Sequence, residues 1–131
     1  MKRAGGPGDE GVTIFVLDAN RAARAEIAGC LRRRNHRVEE FGTIAGLEQA
    51  LERREPDLLI LEARLPDGDG FQLVEGLKKR ACVPVVFVSC RSSCPERIRG
   101  LAAGADDYVG KPFSARELAL RAEAILKRYR R

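Results

Sequence analysis

Two rhythms of apolar residues alternate along this sequence. Runs at 12–17 (VTIFVL), 58–62 (LLILE, four apolar residues and then Glu62) and 85–88 (VVFV) are apolar or β-branched without polar alternation. That is the pattern of parallel strands covered on both faces. Between them, apolar residues recur every three or four positions, as one face of a helix requires. Residues 21–34 place Ala23, Ile27, Cys30 and Leu31 on one side and arginines on the other. Ile44, Leu47 and Leu51 mark a second helix, and Phe71, Val74 and Leu77 the buried face of a third. Ile98, Leu101 and Ala102 would line a fourth, and Leu118, Ala122, Ile125, Leu126 and Tyr129 a fifth. The run RVEEF at 37–41 reads as an edge strand because it carries charge, and DYVG at 107–110 as a short last strand. Five strands alternating with five helices predict one α/β domain with a parallel sheet. Right-handed crossovers leave few topologies for it.

Local signals punctuate this pattern. Asp18-Ala19-Asn20 is a loop and helix cap. Asp69 is placed to cap the third helix, with Gln72 as a capping-box partner. Ser93 with Glu96, and Ser114 with Glu117, have the same spacing. Pro95 suits a first turn, where its missing N–H is not needed, and Gly104 suits a helix C-terminus.

Composition narrows the class. The chain has 131 residues, 44% hydrophobic and 33% charged, which suits one globular domain with its own core. No run approaches the roughly 18–20 apolar residues of a membrane span, and the first residues lack the apolar centre of a secretory signal. Residues 1–11 are expected to be a disordered tail, 12–128 the domain, and 129–131 the start of a linker or a C-terminal tail. Cys30, Cys82, Cys90 and Cys94 suggest no disulfide framework. Reduced thiols and a cytoplasmic location are expected. With His36 the only histidine, the Cys90–Cys94 spacing does not complete a four-ligand zinc site. The net charge is +5, with basic clusters at Arg32, Arg33, Arg34 and Arg37 and at Lys127, Arg128, Arg130 and Arg131. Aromatics are only 5%, so no stacking surface accompanies the charge, and direct nucleic-acid binding by this domain is not expected.

The candidate chemistry lies in DLLILEARLPDGDG, residues 57–70. A carboxylate, Glu62, stands where the central hydrophobic run stops. In open parallel sheets, ligands bind outside the carboxyl ends of the strands. No nucleophile elbow, Walker A loop, dinucleotide glycine fingerprint or metal-hydrolase cluster is present, so an enzyme is not expected.

Taken together and in order, IFVLDAN, PDLLILEARLPDGDG, VPVVFVS and GADDYVGKPFSARELALRAEAILKR resemble the receiver domains of bacterial response regulators. These CheY-like domains have the flavodoxin-like (βα)5 doubly wound parallel sheet of strand order 2-1-3-4-5. The last piece resembles the OmpR/PhoB-type subfamily, whose receivers precede a winged-helix DNA-binding domain. The resemblance implies a phosphoacceptor aspartate after the third strand, and acidic residues after the first strand that hold Mg²⁺ with it. It also implies a hydroxyl after the fourth strand and a lysine after the fifth that bind phosphoryl oxygens, the lysine followed by a cis proline.

This chain departs from that set at two positions. Asp18 matches the first acidic residue, but Ala19 stands where the direct metal ligand belongs. Glu62 stands where the phosphoacceptor belongs. Ser89 matches the switch hydroxyl, Tyr108 the switch aromatic and Lys111 the lysine. Arg64 occupies the position whose carbonyl would bind metal; its guanidinium either leans over the acidic pocket in place of the metal or, as is commoner for a loop arginine, is solvated. A glutamate reaches about 1.3–1.5 Å further than an aspartate, far enough to meet Lys111 or Ser89 directly. The expectation is a pseudo-receiver, with Mg²⁺ binding weak or absent and no cofactor, working without aspartyl phosphorylation. The alternatives are a stand-alone interaction adaptor and a sensor of a small molecule held in the crevice that Ala19 opens. In the resembling subfamily the last helix–strand–helix unit forms a two-fold dimer. The matching charges are Arg97, Asp106, Asp107, Glu117 and Arg121, with Arg97–Glu117 and Asp107–Arg121 as the expected pairs across a homodimer interface, or as pairs within one chain.

Overall fold

A computed structural model describes residues 12–129. The expected tail at 1–11, and residues 130–131 of the expected linker, lie outside the described residues. The elements are β1 (Thr13–Leu17), α1 (Arg21–Arg33), β2 (Arg37–Phe41), α2 (Ile44–Leu51), β3 (Leu58–Leu61), β4 (Arg64–Leu65), β5 (Gly68–Asp69), α3 (Gly70–Arg80), β6 (Val85–Ser89), α4 (Cys94–Ala102), β7 (Asp107–Gly110) and α5 (Ala115–Tyr129). The main sheet is parallel, in the order β2-β1-β3-β6-β7. Leaving aside the two-residue hairpin of β4 and β5, this is the expected 2-1-3-4-5 order. Tyr129 closes the last turn of α5.

Side chains alternate across the sheet, as the pleat dictates. Phe15, Leu17, Leu59, Leu61, Val85 and Phe87 point to one face, where α2 and α3 supply Leu47, Phe71, Val74 and Leu77. Ile14, Val16, Leu58, Ile60, Val86 and Val88 point to the other, covered by Ile27 and Leu31 of α1 and Leu118, Ala122, Ile125 and Leu126 of α5. The fully apolar runs are therefore the strands buried on both sides, as their lack of alternation predicted.

The fourth helix corrects the sequence reading. Ile98, Leu101 and Ala102 were expected to face inward. Instead they are exposed, and the only buried residue of α4 is Gly100. The sheet beneath is already covered by the rings of Phe71, Phe87 and Tyr108, which leaves no room for an aliphatic face. The Ser93–Glu96 capping box is formed in full. Asp69 caps α3, accepting from the Phe71 N–H rather than forming a box with Gln72. Ser114 accepts from the Glu117 N–H, but the Glu117 carboxylate turns to Arg121 instead of closing the box. Asp67, in the β4–β5 turn, caps α2 from a distance by accepting from the N–H groups of Ile44 and Ala45. Those bonds hold its carboxyl below the usual range.

His36 serves the fold. Its Nε2 lies 2.9 Å from Glu123, and its Nδ1 lies 3.4 Å from the Val12 N–H. Arg34 makes a two-pronged contact to the same Glu123 at 2.7 and 2.8 Å, so α5 is tied to the end of α1. The Arg34 hydrogen bonds, helped by His36 and opposed by burial, bring the Glu123 carboxyl down to about 2. A depressed carboxyl contributes stability that is present above its unfolded value of about 4.3 and is lost as pH falls through its folded value. Glu123→Gln is expected to lower the urea midpoint at pH 7, with the gap to the parent shrinking at pH 3. An equal gap at both values would remove Glu123 as its source.

Candidate functional site

Four strand ends converge at one edge of the sheet. Asp18 follows β1, Glu62 follows β3, Ser89 ends β6 and Lys111 follows β7. The ladder continues just far enough to fix them. The Asp18 N–H donates to Phe41 O, Glu62 N–H to Leu17 O and Lys111 N–H to Ser89 O, at 2.9–3.0 Å. The Lys111–Pro112 peptide is cis. Gly70 opens α3 directly against this edge. A Cβ there would lie 2.8 Å from the Glu62 carbonyl oxygen, so only glycine allows the approach.

Asp18 and Glu62 are 3% and 4% exposed, and Ser89 is fully buried. Lys111 Nζ sits between the two carboxylates, 2.7 Å from Asp18 Oδ2 and 3.0 Å from Glu62 Oε1. The other Glu62 oxygen, Oε2, accepts a short bond from the Ser89 hydroxyl and one of 3.1 Å from the Arg64 N–H. The Cys90 N–H approaches Oε1 at 3.4 Å. Asp18 Oδ1 accepts from the Asn20 N–H at 2.9 Å. Burial pushes the Glu62 carboxyl up, but the Ser89, Arg64 and Lys111 bonds together bring it below its ordinary value. Burial likewise pulls the Lys111 ammonium down, and the two carboxylates more than offset this, so its value is raised.

This donor set does not fit a divalent cation. All four carboxylate oxygens already accept hydrogen bonds, the space between them holds an ammonium, and exposed Ala19 offers no ligand. Arg64 contributes its backbone N–H while its side chain stays exposed. Its guanidinium does not replace a metal as the sequence allowed; the cation of the pocket is Lys111.

Beside the pocket, the Tyr108 ring is buried, and its hydroxyl makes a short bond to the Arg91 carbonyl. The Arg91 N–H in turn donates to Ser89 Oγ at 2.9 Å. Pocket and aromatic are thus joined through one loop residue. Nothing in the sequence marked Arg91: its part is played by backbone atoms and by a guanidinium lying 5.2 Å over the Phe71 ring. Arg24, also not singled out, donates to the Asp18 carbonyl.

The five charges predicted at an interface are gathered on the face of α4, β7 and α5, but they engage their own chain. Arg121 bonds Asp107 and Glu117 at 2.9–3.1 Å. Arg97 donates to the carbonyls of Ser92 and Tyr108. Asp106 accepts from the Val85 N–H and from the Tyr129 hydroxyl. Arg97, Asp107, Glu117 and Arg121 line a groove of about 330 Å³, and Ile98 and Leu101 of α4 and Leu120 of α5 are exposed. No helix among the described residues is long and apolar enough to cross a membrane.

The Response regulator receiver domain family matches residues 14–123. Transcriptional regulatory protein GltR of Pseudomonas aeruginosa is 38% identical over 121 residues, 90% of this chain and 50% of its own. The KDP operon transcriptional regulatory protein KdpE of Escherichia coli is 38% identical over 117 residues, 88% of this chain and 52% of its own. The chain thus spans about half the length of these relatives. The non-phosphorylated HemR receiver domain of Leptospira biflexa superposes with a TM-score of 0.79 at 31% identity, covering 87% of this chain and 93% of its own.

Proposed function

Because the chain belongs to the response regulator receiver domains of two-component signalling, we propose that it is a pseudo-receiver, whose switch is held by its own side chains rather than by a transferred phosphoryl group. One observation carries this reading. Glu62 bonds the Ser89 hydroxyl and the Lys111 ammonium at once, the two groups that the family resemblance assigns to phosphoryl oxygens. The carboxylate satisfies them with charge-assisted bonds, and Lys111 offsets one of the pocket's two negative charges without a metal.

The domain then acts in the cytoplasm as a regulatory module of a transcription regulator, with no enzymatic step of its own. The regulators it resembles are about twice its length, which favours a C-terminal winged-helix DNA-binding domain over a stand-alone adaptor. A homodimer through α4, β7 and α5 sets the spacing of two such domains. A two-fold axis there exchanges equivalent charges between copies, so the Asp107–Arg121 pairing seen within the chain has a counterpart across the interface.

Sedimentation equilibrium without Mg²⁺ or phosphodonor tests this. A dimer in the low micromolar range is expected, with Arg121→Glu dissociating it. Acetyl phosphate with Mg²⁺ is expected to leave both the mass of the protein and its association unchanged. A stable phosphoryl adduct on Glu62, or dimerisation that waits for the phosphodonor, would overturn the reading.

A further inference from the structure

Helix α4 is held to the domain without a buried aliphatic side chain. Its buried residue is Gly100, while Ile98 and Leu101 are 61% and 49% exposed. A Cβ built on Gly100 would lie 2.5 and 2.6 Å from Cδ2 and Cε2 of Tyr108, and 3.2 Å from the Phe87 ring. The first two distances are far inside van der Waals contact. Phe87 is fully buried in the core and has nowhere to go. Tyr108 has an exit, since it lines the surface groove beside α5. Polar attachments add to this. Arg99 stacks 4.7 Å over Phe71 and reaches Asp69 at 3.4 Å, and the preceding loop is pinned by Arg91 over the same ring.

We infer that Gly100 is a positioning residue that couples Tyr108 to α4. The ring lies inside only while residue 100 has no side chain, so the inward ring and the seat of α4 form one two-state unit. Ile98 and Leu101 flank Gly100 on that helix, and Arg97 is one turn away. The position of the ring therefore sets how this face is presented. A helix resting on one ring and two partly exposed guanidiniums has little to hold it once the ring leaves. The inference rests on the proposed function only where it calls Tyr108 a switch and this face an output; the steric coupling stands on the geometry.

Gly100→Ala separates this from an ordinary helical glycine. Helix propensity alone favours alanine, and would give a more stable protein with Tyr108 undisturbed. The coupling predicts that the methyl drives the ring into solvent. The protein has two tyrosines. In the parent chain burial raises the Tyr108 phenol, and burial with the Asp106 bond pushes Tyr129 up to about 12. In Gly100→Ala one phenol is expected to titrate at about 10, and the dimer constant to shift by about tenfold. In Gly100→Ala/Tyr108→Ala the methyl fills space left by the ring. The loss in urea midpoint caused by Gly100→Ala is then expected to vanish, and the double variant to fold even where the single one does not. An unchanged phenol titration, or an equal loss of midpoint with and without the Tyr108 ring, overturns the coupling. If the ring leaves but association does not move, the coupling stands, and the assignment of this face as the dimer surface is what fails.

Discussion

Replacing Lys111 with methionine should destabilise the domain more than any other single change at the pocket. The ammonium is the only cation within 4 Å of the carboxylate oxygens of Asp18 and Glu62 among the described residues. Both carboxylates are almost wholly buried. Removing one partner of a buried pair leaves charge without compensation, a loss of about 3–5 kcal/mol when burial is complete. The Lys111 side chain is 18% exposed, so water can partly replace it, and a loss of about 2–3 kcal/mol at pH 7 is expected. The pH dependence gives the cause. In the parent chain Glu62 lies below its ordinary value, so its contribution is present above the unfolded value of about 4.3 and is lost as pH falls through the folded one. In Lys111→Met, burial acts with less to oppose it. The folded pocket then binds a proton more readily than the unfolded chain, and stability rises as pH falls. Urea titrations should therefore show the gap between the two proteins narrowing from pH 7 to pH 5. A gap of the same size at both values would mean that the lost packing of the lysine stem, not stranded charge, is responsible.

Much of this arrangement could be read from the order of residues. Strands buried on both faces announce themselves by unbroken apolar runs, and the boundaries of β2 and β7 follow from charge and turn residues at their ends. Glu62 stands where the central hydrophobic run stops, the resemblance to receiver domains marked Asp18, Ser89 and Lys111 beside it, and the four are found together. Contacts made by backbone atoms were not legible. The Arg91 amide and carbonyl, the Arg64 amide and the close approach of Gly100 to Tyr108 depend on tertiary position, and no residue type encodes them. Helix α4 misled for a related reason. Ile98, Leu101 and Ala102 have helical spacing, but periodicity reports which residues share a face, not whether that face meets the core or the solvent. Here three aromatic rings had already filled the inner space. For Arg64 the sequence left two positions open, over the pocket or in solvent, because side-chain direction at a strand end depends on tertiary packing; the side chain is exposed and only its amide meets Glu62.

The largest functional change should come from two substitutions made together, Ala19→Asp and Glu62→Asp. At present the pocket holds two carboxylates and one ammonium, a formal charge of −1, with every carboxylate oxygen engaged. Shortening Glu62 by one methylene withdraws its carboxylate by about 1.3–1.5 Å from Ser89 and Lys111, leaving both with unmet hydrogen-bonding capacity. The Ala19→Asp change brings the formal charge to −2 and supplies an oxygen ligand beside Asp18. A hard divalent cation is stabilised by clustered carboxylates of this kind, and it also neutralises phosphoryl oxygens during transfer. In the double variant, Mg²⁺ at about 100 times its dissociation constant should raise the unfolding free energy by about 2.7 kcal/mol. Acetyl phosphate should then add one phosphoryl group to the aspartate introduced at position 62, seen by mass and removed by hydroxylamine. The parent chain should show neither response. Each single variant should fall short for a different reason: Ala19→Asp keeps Glu62 seated on Ser89 and Lys111, and Glu62→Asp lacks the second acidic ligand. Mg²⁺-dependent labelling of either single variant to the same extent as the double would mean that the two departures are not one joint loss. Failure of the double variant to bind Mg²⁺ while it remains folded would mean that Lys111 alone excludes the cation. The pocket would then be closed by its lysine rather than by its missing aspartates.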